Sequence, residues 1–477
     1  MRALTFAVVL FVSWALACSP PSVVVHFDTD APIPSTAGDP LTSPTPLFDA
    51  LRVEIYPPNA TAPCAGCVND FDVTAEMFAQ GTVSIGVPLT DQSGYVLHAR
   101  LYLRRLATPD GPASDATIDK LVSIPTADSG VTDGLVFFDT ASAGASHDPT
   151  SDAPDALAPY EGASSSVGSW PPAQRVGCDD TAQAAPQGAV CIPGGAYWMG
   201  TQDGQPLPNR SATWHRLAVM SPFYLDADEV SVARFRAAGL QPVDTFRQSG
   251  VTAALWCTFT PAPGAYESFP VNCVDVQRAT PLCQAAGGAL PTGTELEYAA
   301  TQLGRSPYPW GFDGPTCAGV VWSRESTEFS QELEPNGVCY DPSGGAFTDP
   351  STGTHIGGPE APTICTTSPC AFLDRVVLDA SASPPVEVRN LAGDVAELTS
   401  DRPFSETDSD CWGDQAGVID DPACPMKSGG DSEVRASDWA ADDVISVRAE
   451  SVLDLPPSTA APNFGFRCAY PATPLGN

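Results

Sequence analysis

The N-terminal part of the chain carries short stretches in which apolar and polar residues alternate. Residues 51–56 and 97–104 show the alternation most clearly, and a period of two is typical of strands that bury one face. Further short apolar runs lie at 23–27, 83–87 and 135–138. Because Pro, Gly and Asp separate these runs, the pattern predicts an all-β domain over residues 18–140, an antiparallel sandwich of immunoglobulin-like type.

Helical signals occur only in the second half of the chain. Ser231 is a predicted N-cap, with Val232 and Phe235 on one face of a short helix. Thr292 and Glu295 have the spacing of a capping box in front of an apolar stripe.

A change in composition separates the two halves. Residues 141–188 are rich in Ala, Ser, Pro, Asp and Gly and show no apolar period, which predicts a flexible linker. Globular sequence rich in Gly and aromatic residues follows over 189–471, and residues 472–477 form a short tail.

The first 17 residues have the pattern of a signal peptide. An apolar run too short for a confident membrane span ends at Ala15-Leu16-Ala17, directly before Cys18. Cys18, directly after the predicted cleavage site, offers a thiol for lipidation. We therefore expect an exported lipoprotein of the bacterial envelope, facing the periplasm or the outer surface, that contacts the membrane through its lipid anchor only.

Cysteine parity agrees with lipidation. The chain has 15 cysteines, and setting Cys18 aside leaves an even number for disulfides in an oxidising compartment. Within the sandwich, Cys64 and Cys67 could suggest a redox or zinc motif, but a local disulfide across a turn is the simpler interpretation. His98, on the polar face of a predicted strand, is expected at the surface.

The balance of charge excludes several classes of partner. The chain has 57 acidic and 22 basic residues, a formal net charge of -35. Nucleic acids and anionic lipid head groups would be repelled, so we expect no nucleic-acid partner.

From residue 189 onward, short motifs follow one another in a fixed order. They are IPGGAYWMG at 192–200, SPFYLD at 221–226, GALPTGTELEYAA at 288–300, YPWG at 308–311, NLAGDVAE at 390–397 and GFRC at 465–468. Each motif alone is unspecific. Together, and in this order, they closely resemble the formylglycine-generating enzyme family, the sulfatase-modifying factors.

The resemblance implies a fold and a chemistry for residues 189–471. The fold would be an α+β domain of formylglycine-generating-enzyme type, irregular and C-type-lectin-like, with a disulfide between Cys283 and Cys468. The chemistry would be an oxygen-dependent conversion of a substrate cysteine into formylglycine, for which the family uses two thiolates that bind copper(I).

The copper-binding positions depart from the family. Aligned from Arg435, the two cysteines fall on Ala441 and Ser446. A methyl group and a hydroxyl cannot replace thiolates, which soft metal ions select. We therefore expect no copper and no catalytic residue. Relocation of the sulfur site to Cys411 or Cys424 is an alternative, although a mutual disulfide between those two is simpler.

Other departures are smaller, and the histidines do not suggest iron. Asp394 and Leu398 stand where the family usually has Asn and Trp, and Pro281 lies in the helix that leads to Cys283. One branch of the family holds iron through clustered histidines. The five histidines here are isolated in the sequence: His26, His98, His147, His215 and His355.

The same resemblance implies a structural calcium site. Its ligands would be the side chains of Asn390 and Glu397 and the backbone carbonyls of Gly393 and Val395, all hard oxygen donors of the kind that calcium prefers. The alternative is an ordinary turn in which Glu397 forms a salt bridge.

Three functions remain open from the sequence. The favoured one is a non-catalytic, calcium-stabilised binding or envelope-surface module, whose ligand would be a peptide, a protein or a glycan. The second is a variant oxidoreductase of the family that acts on a protein cysteine. The third is a purely structural envelope lipoprotein.

Overall fold

The computed structural model describes most of the chain. The described residues are 22–36, 42–88, 92–126, 133–162, 165–178, 185–202, 214–243, 257–316, 319–322, 347–348, 355–356, 358–362, 372–403, 411, 417–427, 430–441 and 446–472. The predicted signal peptide and Cys18 lie outside them. Within the described residues, no helix combines the length and the hydropathy that a membrane span requires.

The N-terminal region forms two facing sheets. Its strands are β1 Ser22–Thr29, β2 Ala50–Tyr56, β3 Val68–Asp72, β4 Ser84–Pro88, β5 Val96–Tyr102, β6 Thr117–Ser123, β7 Asp133–Phe138, β8 Asp155–Ala156 and β9 Ala158–Pro159, with one helix, α1 Ala75–Ala79. The first sheet has the order β4-β1-β7-β9, and the second has the order β3-β2-β5-β6-β8. Alternate residues of both sheets share one apolar core, as the period-two pattern predicts. The predicted all-β N-terminal region is confirmed.

The pairing is not purely antiparallel. Strand β1 pairs with β7 in parallel, and β6 pairs with β8 in parallel. Both pairs join strands that are distant in sequence, so no tight hairpin imposes an antiparallel direction. Strand β6 escaped the sequence prediction because Asp119 and Lys120 interrupt its apolar alternation.

The segment predicted to be a linker has packed parts. Strands β8 and β9 lie within it and extend both sheets. Further along, Trp170 and Ala173 are buried against the sandwich core. The composition of this segment does not predict these contacts, because two buried side chains are enough to dock a short segment that is otherwise poor in apolar residues.

The C-terminal region has many short elements. They are β10 Ala189–Ile192, β11 Gly195–Gly200, β12 His215–Met220, β13 Phe223–Asp226, α2 Val232–Ala237, α3 Val276–Ala285, α4 Gly293–Ala300, β14 Phe347–Thr348, β15 His355–Ile356, β16 Arg375–Asp379, β17 Val386–Arg389, β18 Ala396–Leu398, β19 Ile419–Asp420, β20 Ser432–Arg435, β21 Val452–Leu455, β22 Phe464–Gly465 and β23 Ala469–Pro471. The sheets are β10-β13-β23, β11-β12-β19, β14-β15, β16-β17 and β21-β20-β18-β22. This mixture is the predicted irregular α+β arrangement.

The predicted helix starts are confirmed. The Ser231 side chain accepts a hydrogen bond from the backbone N–H of Arg234 at the start of α2. At α4, Thr292 and Glu295 form the capping box in both directions. Helix α3 continues through Pro281 to Cys283, so this proline is tolerated there.

The two regions are joined by a common core rather than by a tether. Trp198 of β11 is buried against Phe48 of the sandwich, with ring centroids 5.7 Å apart and nearly perpendicular. Its indole N–H donates to the backbone carbonyl of Leu47 at 2.8 Å. Nearby, the guanidinium of Arg175 donates to Thr45 of the sandwich and to Tyr298 of α4. The regions should therefore unfold together.

Replacing Trp198 by Phe tests this junction. The change leaves the carbonyl of Leu47 without its donor in a buried place, which costs about 1–3 kcal/mol of unfolding free energy. We expect lower stability with a single thermal transition, measured by calorimetry. The matched control is Trp310→Phe, because that indole bonds only within its own turn, to the Asp313 carbonyl. Two separate transitions in the unaltered chain would contradict a common core.

The expectation that His98 lies at the surface was wrong. Its ring is buried on the second sheet, with Nε2 2.7 Å from Asp119 and Nδ1 3.4 Å from Glu54. Glu54 also accepts hydrogen bonds from Arg52 and Arg100. Burial alone would lower the pKa of His98, but the hydrogen bonds to the two carboxylates outweigh it and raise that pKa above its ordinary value.

This histidine should make stability depend on pH. Because its folded pKa is raised, its contribution is complete below the unfolded pKa of about 6.5 and is lost as pH rises through the folded pKa. The difference in unfolding free energy between the unaltered chain and His98→Gln should therefore shrink from mildly acidic to alkaline pH, as measured by urea unfolding. A difference that stays constant across this pH range would contradict the proposed role of the His98 charge.

Candidate functional site

Three segments singled out by the sequence meet around strand β18. Glu397 of β18 lies opposite Arg435 of β20 on one side and opposite Gly465 of β22 on the other. The turn before β18 also binds the segment after Arg435, because the backbone N–H of Trp439 donates to the Asp394 carbonyl at 2.9 Å. The structure therefore brings together the 390–397 turn, residues 435–441 and the GFRC motif.

The two positions aligned with the family's cysteines hold no sulfur. The backbone N–H of Ala441 donates to the Asp438 carbonyl at 3.2 Å. The hydroxyl of Ser446 lies 3.1 Å from the hydroxyl of Ser437. A pair of hydroxyls is a hard donor set, and copper(I) prefers thiolates. These residues do not fit the copper site that the family implies.

The alternative that the copper-binding thiolates have moved to Cys411 or Cys424 has no support in the structure. Cys411 and Cys424 form a disulfide with each other, the simpler of the two interpretations. Among the described residues, no group of three or more His, Cys, Asp or Glu side chains is arranged to hold a metal ion.

Two side chains after Arg435 hold residues 435–441 in place. Asp438 accepts a hydrogen bond from the Asn463 side chain at 2.8 Å, and the Trp439 indole donates to the Pro462 carbonyl at 3.2 Å. Ala436 has a φ of 66°, which lies in the left-handed region. A left-handed alanine is strained, so the surrounding contacts must hold it.

Beneath the segment lies a buried cluster of charges. Arg435 donates to Glu433 at 2.5 Å and to Glu297 of α4 at 2.9 Å. Burial raises the pKa of Glu433 to about 7, and burial likewise raises the pKa of Glu450 to about 7. Arg448 pairs with Glu450. Burial disfavours the ionised form of both carboxyls, and the guanidinium groups of Arg435 and Arg448 oppose that effect.

The predicted calcium turn is held by residues that the sequence did not single out. Asp374 accepts hydrogen bonds from the backbone N–H groups of Leu391, Ala392 and Gly393, the last at 2.8 Å. Burial nevertheless raises the pKa of Asp374 to about 6. The backbone of Gly393 approaches closely, because a Cβ there would lie 2.6 Å from the Val321 carbonyl oxygen. Val395 is fully buried.

Asn390 faces two further acids. Its amide donates to Asp394 at 2.9 Å and to Glu229 at 3.3 Å. One oxygen of Glu229 is buried without a described hydrogen-bond partner. Burial, together with the charge on Asp394, raises the pKa of Glu229 well above its ordinary range. Glu229 was missed as a site residue because its partners lie more than 150 positions away.

Glu397 forms a salt bridge with Arg467 of the GFRC motif. The Arg467 Nε lies 2.8 Å from both carboxylate oxygens, and Nη2 lies 2.5 Å from one of them. This arrangement is the alternative to calcium binding. The guanidinium supplies the positive charge that calcium would bring, and two cations would repel each other at one buried carboxylate. The contacts therefore do not fit a calcium cage, and calcium at these four residues stays an untested prediction.

The implied disulfide between Cys283 and Cys468 is present, next to Arg467. It attaches α3 to the strand pair β13 and β23, where the backbone N–H of Cys468 donates to Asp226 at 2.9 Å. Three more disulfides are described: Cys64 with Cys67, Cys178 with Cys191, and Cys257 with Cys273. The first of these is the local disulfide expected in the sandwich.

Comparison with known proteins assigns the C-terminal region. Residues 178–472 match the family described as the sulfatase-modifying factor enzyme 1-like domain. A search of curated proteins finds no match. The start of the match, at residue 178, places Cys178 and its disulfide inside the family region.

Solved structures similar to the chain include three with low sequence identity. PvdO from Pseudomonas aeruginosa is 19% identical, covers 59% of this chain and 94% of its own, and has a TM-score of 0.38. The variable protein 1 of Treponema denticola is 13% identical, covers 59% of this chain and 99% of its own, and has a TM-score of 0.34. CarF is 14% identical, covers 59% and 97%, and has a TM-score of 0.33.

Replacing Glu397 by Gln should destabilise the chain by about 3 kcal/mol or more, because Arg467 would keep a buried charge without its partner. Urea unfolding measures the loss. The control is Glu267→Gln, since the pair of Glu267 with Arg236 is more exposed and should contribute less than about 1 kcal/mol.

Chelation separates the salt bridge from calcium. If Arg467 alone compensates Glu397, EDTA should leave the melting temperature unchanged. A lower melting temperature in EDTA that added calcium restores would instead support calcium at Asn390, Gly393, Val395 and Glu397, because a ligand bound by the native state stabilises it.

Proposed function

Because this chain belongs to the sulfatase-modifying factor enzyme 1-like domain family, we propose that it is an exported lipoprotein whose family domain serves as a binding module and not as a formylglycine-generating enzyme. The observation that supports the proposal is that Ala441 and Ser446 stand where the alignment from Arg435 would put the family's two copper-binding cysteines. The proposed ligand is a peptide, a protein or a glycan.

The chemistry of the replaced positions supports a loss of catalysis. Copper(I) would need two soft ligands at this place, and the chain offers a methyl group and a hydroxyl. The Ser446 hydroxyl lies beside another hydroxyl, that of Ser437, and hydroxyls are weak nucleophiles unless a neighbouring base activates them.

The preserved framework supports a binding role. The disulfide at Cys283, the salt bridge of Arg467 and the buried cluster around Arg435 hold the segments that flank the altered positions. A binding site benefits from such a fixed framework, since less freedom is lost when a ligand binds.

The lipoprotein part of the proposal rests on the predicted signal peptide, residues 1–17, and on Cys18 directly after it. Lipidation at Cys18 would place the sandwich next to the membrane and the family domain beyond it, attached through the common core around Trp198. The sandwich would then orient the family domain relative to the membrane. Mass spectrometry of the mature protein tests this part by detecting a diacylglyceryl group on Cys18.

A direct assay tests the loss of catalysis. The mature chain is incubated with a sulfatase peptide that contains the substrate cysteine, with copper and a reductant. We expect the peptide mass to stay unchanged, because the copper thiolates are absent. Conversion of the cysteine to an aldehyde would refute the proposal and support the variant oxidoreductase.

Restoring the cysteines provides the matched comparison. The double variant Ala441→Cys and Ser446→Cys should gain copper(I) binding relative to the unaltered chain, whereas either single variant should gain much less. Competition with a colorimetric copper(I) chelator measures the affinity. Equal affinity in the unaltered chain and the double variant would mean that copper binds elsewhere.

Binding itself is tested on peptide and glycan arrays with the full mature chain. Saturable binding to members of one class, weakened by substitution of Asp438, would support the binding module. Absence of binding to either class would favour the purely structural lipoprotein.

A further inference from the structure

We propose that a cavity on the outer face of the first sandwich sheet binds a small organic ammonium cation. This site lies outside the family domain and goes beyond the proposed function. The cavity has a volume of about 220 Å³. Residues of β1, β7 and α1 line it, together with Tyr160, Gly162, Ser165 and Ser166. Its chemistry, its charge and its size point to the same class of ligand.

The pairing of two strands places the key side chains together. In the parallel register of β1 and β7, His26 lies opposite Leu135, and Asp28 lies opposite Phe137. Val136, between Leu135 and Phe137, is buried in the core, whereas Phe27, between His26 and Asp28, is buried but also lines the cavity. Side chains alternate between the faces of a strand, so the four cavity residues share the outer face.

Aromatic rings form part of the wall. The rings of His26 and Tyr160 are stacked, with centroids 3.7 Å apart and planes 9° from parallel. Phe137 also lines the cavity and is 39% exposed, although phenylalanine gains free energy when it is covered. The face of an aromatic ring carries partial negative charge and attracts a cation.

The polar groups add negative charge. The Asp28 carboxylate lines the cavity and is held by the backbone N–H and the hydroxyl of Ser166, both at 3.3 Å. Asp133 lies 3.5 Å from the His26 Nε2 and is 48% exposed. With the proton on Nε2, the buried Nδ1 of His26 is an acceptor, and it has no described hydrogen-bond partner.

Charge and size exclude other ligands. None of the described lining residues is Lys or Arg, so an anion would find no counter-charge. The net charge of -35 attracts cations to the whole surface. The volume lies below the roughly 300–1,000 Å³ of sites for larger organic ligands, which excludes a folded peptide or an oligosaccharide. An ammonium head group meets all of these conditions.

The test uses choline chloride as the probe and the full mature chain at low salt. Ligand-observed NMR should show the choline methyl signal move upfield and saturate, because the ring faces shield the methyl protons. Titration calorimetry gives the Kd. Glucose and sodium acetate are titrated in parallel, and we expect neither to compete with choline.

Variants link binding to the cavity. Phe137→Ser should raise the Kd about threefold or more, the size expected for the loss of one ring face. The matched control is Phe71→Ser on β3, a phenylalanine that is 40% exposed and lies on the other sheet. Asp28→Asn should also weaken binding, with circular dichroism to check its fold. Phe137 is exposed, so its variant keeps the test decisive if Asp28→Asn does not fold.

Three outcomes would overturn the proposal. They are a choline signal that does not saturate, displacement of choline by acetate or glucose at similar concentrations, and an equal loss of affinity in Phe71→Ser and Phe137→Ser. The last outcome would indicate nonspecific attraction to an acidic surface.

Discussion

The buried guanidinium of Arg467 is the interaction on which the C-terminal region depends most. Besides Glu397, it donates to the backbone carbonyls of Asp226, Arg389 and Asn390, at 3.1, 2.9 and 3.0 Å. It therefore joins the ends of β13 and β17 to the start of β18. These strands are too short to hold one another through sheet hydrogen bonds alone. A planar group with five donors can satisfy several carbonyls that irregular loops leave without partners.

Burying a charge imposes a condition on everything around it. A guanidinium without a carboxylate would cost several kcal/mol in this setting, so Glu397 must occupy its position for the fold to form. This requirement gives the NLAGDVAE and GFRC motifs a structural role that does not depend on copper chemistry.

Local features of the sequence predicted local features of the structure. The caps at Ser231 and Thr292 and the strands β2 and β5 depend on neighbours within a few positions, and these predictions were confirmed. The alternation of burial within the two strands is incomplete, because Glu54 and His98 are buried. The resemblance added the family and the disulfide of Cys283 with Cys468, which periodicity could not predict.

Long-range contacts decided the features that the sequence did not predict. His98 is buried because Glu54 and Asp119 lie on adjacent strands, and the register of a sheet cannot be derived from one strand. The role of Asp374 depends on a turn 17 to 19 positions away. Arg175 belongs to a segment of low-complexity appearance, and only the folded chain brings Thr45 and Tyr298 to it.

The disulfide between Cys283 and Cys468 has a topological consequence. It closes a ring that spans 185 positions and contains most of the family domain. A single protease cut anywhere in that ring would not release a fragment, because both pieces would stay covalently joined. The part of the family domain C-terminal to such a cut would be released from the rest of the chain only after the disulfide is reduced as well.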